Sequence, residues 1–276
     1  MIPRGLAPYA AIFDSCAREE LQYRAAAVAG LFTQVVFGFL FLMVLLAFYD
    51  ASDVVSPLST AETVAYVWLG QALFAMLPWT VDPRAREAIR TGDVVQELLR
   101  PVDTYSVWYA RALAWRVIRT ALRFVPMVTI AMVGLPLLGL DRYAMPTPSS
   151  TAALGLAVVA ITLGALLSTA LTLLIQVIML WTVSPDGVLR IVPALTAFFS
   201  GGLVPLPLLP EWMQAFLAIQ PLRGVLDTPS RIYSGQLVGV QMWTALGWSV
   251  LWIAVIVALG RVGIRRGMRR MAVAGG

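Results

Sequence analysis

Residues 151–183 read TAALGLAVVAITLGALLSTALTLLIQVIMLWTV, with no charged side chain among them. About 20 consecutive apolar residues suffice to carry a helix across the hydrocarbon of a bilayer. This run is longer than one crossing needs, so it predicts a helix from Thr151 to Val183 that tilts or projects beyond the membrane. Along it Ala160, Gly164, Ser168 and Thr172 recur every four residues, a ladder of small side chains that lets another backbone come close. The ladder fits packing inside one subunit better than a seam between two subunits.

Five further apolar stretches share this character, at Ala25–Phe48, Leu58–Val81, Arg119–Leu140, Val188–Val204 and Val240–Gly260. Of the 276 residues 59% are hydrophobic and 13% charged, where soluble domains carry about 25% charged. An unpaired backbone is too costly in lipid for anything but helices or closed barrels, and runs of this length are helical. The expectation is an all-α polytopic membrane protein with six transmembrane helices. The third starts only at Arg119, because WYARALAWRVIRTALR (108–123) is too rich in arginine for hydrocarbon. Arg116, Arg119 and Arg123 would then form a wet face at the cytoplasmic boundary.

Every one of the 20 basic residues is arginine, and histidine is absent. A phosphate-binding loop needs its lysine, so the chain cannot be a P-loop ATPase by itself. Without histidine there is no His-based zinc site and no Ser-His-Asp triad. No catalytic or metal-binding residue is assigned. The single cysteine, Cys16, is read as a small buried apolar residue. The sequence pI of about 9.8 sets topology rather than binding nucleic acid. Placing the N-terminus, the 82–118 connection and the C-terminus in the cytoplasm leaves only Arg142, Arg223 and Arg231 outside, so both termini are expected inside. No cleaved signal peptide is expected at the N-terminus. About 8–24, apolar and charged residues alternate as in a helix lying along the inner interface; a cytoplasmic extension of span one is the other reading.

Polar groups within the spans are few. Gln34, Gln71 and Gln176 could hydrogen-bond between helices or line a path, and Gln71 is the first choice for a pathway residue. Amides cannot run a proton cycle, which counts against a proton-driven carrier. Glu62 reads as the N3 residue of a capping box begun by Ser59 rather than as an intramembrane acid. The tryptophans read as interfacial anchors or packing residues.

Two segments break the apolar pattern. In 82–104, Asp82, Pro83 and Gly92 punctuate one short helix. Asp93 as N-cap, Gln96 three residues on and Pro101 as stop then delimit another. The second puts Val94, Val95, Leu98 and Leu99 on one face and Gln96, Glu97 and Arg100 on the other. Pattern alone allows a mere tether between spans or a rigid knob that receives force from a soluble partner. In 200–239, Gly201, Gly202, Pro205, Pro207 and Pro210 end a helix, and a short apolar segment follows from Trp212. That segment is either a loop resting on the bilayer or short re-entrant helices forming an outer gate.

The blocks EELQYRAAAVAGLFTQ (19–34), AIRTGDVVQELLRPVDTYSVWYARALA (88–114) and FFSGGLVPLPLLPEWMQAFLAIQPLRGV (198–225) resemble the ABC-2 type permeases. The closest resemblance is to a bacterial branch with a G-[DE]…LLRPV motif after the second span. The resemblance implies one ABC-2 (type V exporter-like) transmembrane domain over 1–276, with six spans. It implies an N-terminal interfacial helix, and short re-entrant helices between spans five and six. It also implies a dimeric membrane unit with a second permease chain, identical or related, in a bacterial inner membrane. Two copies of a separate P-loop ATPase would bind ATP and Mg, so this chain would bind no cofactor itself. By position, Gly92, Asp93, Gln96, Glu97, Leu98, Leu99, Arg100 and Pro101 would form the coupling element, with Glu97 and Arg100 reaching the ATPase. The implied function is export of a drug, lipid, glycan or peptide-like cargo. An ion-gradient carrier and a non-transporting scaffold are the rival readings.

Overall fold

A computed structural model describes residues 7–22, 24–51, 56–82, 85–87, 91, 103–181 and 185–274, and every regular element among them is helical. The helices are α1 (Ala7–Leu21), α2 (Arg24–Ala51), α3 (Thr60–Ala72), α4 (Thr104–Thr129), α5 (Thr151–Met179), α6 (Pro185–Phe199), α7 (Glu211–Ile219), α8 (Asp227–Tyr233) and α9 (Gly239–Ala274). Four helical stretches are long and apolar enough to cross a membrane: Val28–Ala51, Thr104–Leu137, Thr151–Met179 and Gly239–Gly267. The protein is a multi-pass α-helical membrane protein.

The start of α5 at Thr151 follows from local chemistry, since the Ser150 hydroxyl accepts from the Ala153 amide at 3.0 Å. The start of α3 is the expected capping box. The Ser59 amide donates to Glu62 Oε2 at 2.7 Å, and Ser59 Oγ accepts from the Glu62 amide at 3.3 Å. Elsewhere the elements differ from expectation. The stretch Leu58–Val81 is not one helix: α3 is 13 residues long, and the chain leaves it at Leu73 for a 3-10 turn, Phe74–Met76. Leu77 is then extended, as a residue before proline should be. The helix in the Val188–Val204 stretch is likewise short, ending at Phe199 before Gly201, whose φ is +87°.

The helix that contains the third apolar stretch begins at Thr104, far ahead of Arg119. Asp103 Oδ2 caps it by accepting from the Ser106 amide at 3.1 Å. The arginines that predicted a late start pack within the protein and do not share one wet face. Arg116 is fully buried. Arg119 pairs with Glu20 of α1 at 2.6 Å and lies over the Trp115 ring at 4.3 Å. Arg123 runs against Gly30 of α2, so closely that a Cβ there would stand 2.7 Å from its guanidinium. Arg116 and Arg119 thus bond α4 to different neighbours, and Arg123 packs it against α2. Beyond Thr129, α4 passes through a π turn at Ile130–Gly134.

The core is built on α5, flanked by α9, α8 and α4. Trp68 of α3 is fully buried, donates its indole N–H to the Tyr143 carbonyl at 2.7 Å, and takes Phe39 of α2 edge-on. Around it gather Leu42, Leu46, Met127, Ala157 and Ile232. In this way residues from five helices share one apolar cluster. Arg142 is tied to Asp50 at 2.5 Å, closing the turn after α4 against the end of α2.

Candidate functional site

Three segments meet at a small cleft. Tyr66 and Gln71 come from α3, Phe41 and Leu45 from α2, and Gly201, Gly202, Leu203 and Pro205 from the bend after α6. Its volume is about 20 Å³, enough for a single water. The structure therefore brings the expected pathway residue Gln71 beside three of the expected gate residues, Gly201, Gly202 and Pro205. The bend needs glycine at 201 because the backbone is left-handed there. A side chain at 201 would also collide with the Tyr66 hydroxyl.

Tyr66 links this cleft to a buried charge that the sequence reading missed. Its hydroxyl donates to Asp227 Oδ1 at 3.0 Å and accepts from the Leu206 amide at 3.4 Å. Asp227 is fully buried at the head of α8. Its other oxygen faces Arg223 at 3.4 Å and Arg231 at 3.6 Å. A buried carboxylate between two guanidiniums has its charge compensated, and removing the carboxylate would strand both arginines. The signal was present as Arg223-x3-Asp227-x3-Arg231, opposite charges at i−4 and i+4. Two side-chain amides hold the surrounding turns. Gln214 donates to the carbonyls of Leu206 and Leu209, at 2.9 and 2.7 Å, and Gln220 donates to the Phe199 carbonyl at 2.8 Å. Pro207 lies beside these turns within the 3-10 segment Leu206–Leu208, Pro210 precedes α7, and Trp212 is 79% exposed.

The chain between α7 and α8 does not stay on the rim. The Gly224 carbonyl would lie 2.9 Å from a Cβ at Gly164, about halfway along α5. Gly224 itself faces Ser249 of α9 and Leu167 of α5. The segment therefore folds back into the helix bundle, and α8 packs against α5 and α3 with most of its residues buried.

At that level lies a second polar centre. Where α3 gives way to the 3-10 turn, the Met76 and Leu77 carbonyls have lost their helical partners. Arg116 supplies donors to both, at 2.5 and 3.0 Å, and a further donor to the Thr172 hydroxyl. Ser168 also donates to the Met76 carbonyl. A cation at the carbonyl end of a helix is electrostatically favoured. The small-residue ladder is thereby accounted for within one chain: Gly164 admits the Gly224 carbonyl and the Met76 methyl, Ser168 holds Met76, and Thr172 holds Arg116.

The other amides stand apart from the cleft. Gln34 is buried with neither amide atom hydrogen-bonded, and the buried Gln176 has an unbonded carbonyl oxygen. The expected coupling residues Gly92, Asp93, Gln96, Glu97, Leu98, Leu99, Arg100 and Pro101 lie outside the described residues. At the near edge of that segment the Arg86 amide donates to the Asp82 carbonyl at 2.9 Å, a helical spacing. Among the described residues no cluster of acidic or cysteine side chains could hold a metal ion.

A family model described as "ABC-2 family transporter protein" matches residues 34–275. The chain belongs to that family. It is thus the permease, or membrane-spanning, component of an ABC transporter, and permeases of this family generally work with an ATPase subunit. The match takes in the 92–101 segment, the cleft and the folded-back region around Asp227. A search of curated proteins finds no match to the chain.

Proposed function

We propose that this permease is the membrane half of an ATP-driven exporter in a bacterial plasma membrane. Energy would come from two copies of a separate P-loop ATPase, which alone would bind ATP and Mg. The family match over 34–275 carries this reading, because it includes the segment that would couple to that ATPase. The absence of lysine supports it, since the chain has no P-loop of its own.

In this reading α3 and α6, each with its flanking segments, supply the second and fifth of six spans, and both termini are cytoplasmic. Residues 92–101 form the coupling helix, with Glu97 and Arg100 in the ATPase cleft. When ATP closes the ATPase dimer, that helix moves beneath α3 and α4. Arg116 ties those two helices together through Met76 and Leu77. The folded-back 200–239 region is the outer gate, with Gln71 next to it on the path. The membrane unit is completed by a second permease chain, identical or related. Drug, lipid, glycan and peptide-like cargoes all suit a path with so few fixed charges.

The test is affinity purification of the tagged chain from its native host in mild detergent, with mass spectrometry of what is retained. A stoichiometric P-loop ATPase, lost in Glu97→Arg while the membrane fold persists, is the expected result. Undiminished ATPase binding and transport-stimulated ATP turnover in Glu97→Arg would overturn the coupling assignment. Flux driven by a proton or sodium gradient without any ATPase would replace it with a secondary carrier.

A further inference from the structure

A slot of 610 Å³ opens where α1, the start of α4 and α9 meet, walled by Tyr9, Phe13, Tyr105, Tyr109, Leu113 and Val257. Arg261 stands at its edge, exposed, with its guanidinium 5.7 Å from the Tyr105 ring centre and a long 3.5 Å hydrogen bond to Ser106 Oγ. Arg265 and Arg266, also exposed, follow on the same helix. The neighbouring acid, Asp103, already accepts from the Ser106 amide and hydroxyl. Tyr105 is 2% exposed, and its hydroxyl, packed against Gly260, has no hydrogen-bond partner. A cationic rim, an aromatic wall and an orphan hydroxyl make a site with a polar end.

The other end is apolar and long. Phe13 and Leu113 also wall a second cavity of 660 Å³, which lies between α4 and α5 among residues such as Met76, Phe124, Ala157 and Ile161. Its flanks Val125, Leu154 and Val158 are exposed, so in a bilayer it opens to acyl chains. The two cavities meet at a shared wall. A ligand that fills both must have an anionic head and a tail without polar atoms.

We propose that the slot between α1, α4 and α9 binds one anionic phospholipid, its phosphate on Arg261 and one acyl chain running past Phe13 and Leu113 toward the cavity between α4 and α5. Charge complementarity selects the occupant, because cationic side chains at a membrane surface attract anionic headgroups. A bound lipid would cover the junction of α1 with α4 and seal it against water. If the C-terminus is cytoplasmic, as in the preceding reading, the lipid belongs to the inner leaflet. Binding itself depends neither on that orientation nor on any ATPase.

The experiment is native mass spectrometry of the full chain in detergent, titrated with phosphatidylglycerol and, separately, phosphatidylcholine of the same acyl chains. Retention of phosphatidylglycerol should be about fivefold stronger, roughly what one favourable arginine–headgroup contact supplies. Arg261→Gln, an exposed change that leaves the core alone, should abolish the preference and keep the residual binding. Ala110 also lines the slot, and Ala110→Trp, which fills it, should reduce retention of both lipids, with size-exclusion chromatography checking that the variant is folded. Equal retention of the two lipids by the unaltered protein would overturn the proposal. So would an undiminished preference in Arg261→Gln, or full retention by folded Ala110→Trp. ATPase pulldown is unaffected by any of these results, so failure here leaves the transport reading standing.

Discussion

The Tyr66 hydroxyl donates to Asp227 across 3.0 Å, joining α3 to α8 although 161 positions separate the two residues. The bond crosses from a helix inside the bundle to the segment that folds back between α6 and α9. On the far side of the carboxylate, Arg223 and Arg231 face its second oxygen.

Breaking this group from its two ends should give unequal losses. Tyr66→Phe removes a hydrogen bond to a charged group, a cost of about 1.5–3 kcal/mol, and the long one from the Leu206 amide, but leaves both arginines compensated. Asp227→Leu strands the two arginines and should cost about 3–5 kcal/mol. Thermal unfolding of the purified variants should rank Asp227→Leu as the less stable. The reverse order would mean that the arginines find other acceptors.

Gly201→Ala should be destabilising twice over. The left-handed backbone costs a non-glycine residue about 1–2 kcal/mol. The new methyl also meets the Tyr66 hydroxyl. Removing that oxygen with Tyr66→Phe should relieve only the second part, so the double variant should be more stable than the summed single effects by ~0.5 kcal/mol or more. Strict additivity in a double-mutant cycle would show that the two residues do not compete for space.

Arg116→Lys keeps the charge but not the planar fork that reaches two carbonyls and a hydroxyl. It should lose about 2–3 kcal/mol, chiefly because the Leu77 carbonyl is left without a donor while Ser168 still serves Met76. Thr172→Val removes only one acceptor and should lose less. Limited proteolysis between Pro78 and Asp82 should quicken in Arg116→Lys, since the turn leading out of α3 loses its clasp.

Glu20→Ala should loosen α1 from α4 without unfolding the chain. Arg119 is partly exposed, with 43% of its side chain accessible, so screening limits the loss to about 0.5–1 kcal/mol. Cys16 is the one thiol in the sequence and lies on α1. Maleimide labelling of Cys16 should therefore speed up in Glu20→Ala, while an unchanged rate would show that apolar packing alone holds α1.

What could be read from sequence divides by the range of the interaction. The Ser59–Glu62 box and the Ser150 cap lie within one helical turn, so their residue types and spacing declare them. The ladder from Ala160 to Thr172 declared a close approach but not its partners, because Gly224 and Met76 come from distant parts of the chain. Arg116 misled for the same reason. Beside Arg119 and Arg123 it looked like part of a solvated stripe, yet its acceptors are two carbonyls some 40 residues earlier, exposed only because α3 ends in a 3-10 turn. Asp227 lies between two apolar stretches, and its burial depends on the fold-back, which no local pattern announces.

The meeting of Gly164, Met76 and Gly224 has a consequence for the route any cargo takes. A Cβ at Gly164 would touch the Met76 methyl at 3.0 Å and the Gly224 carbonyl at 2.9 Å. Helix, turn and fold-back are wedged together there with no room for even one more carbon, and Arg116 rivets the turn from below. In this conformation a solute meets a solid bulkhead at the middle of the chain's own bundle. Under the proposed export function, with a second permease chain completing the membrane unit, cargo would pass along the outside of that bulkhead, against the wall furnished by the second chain.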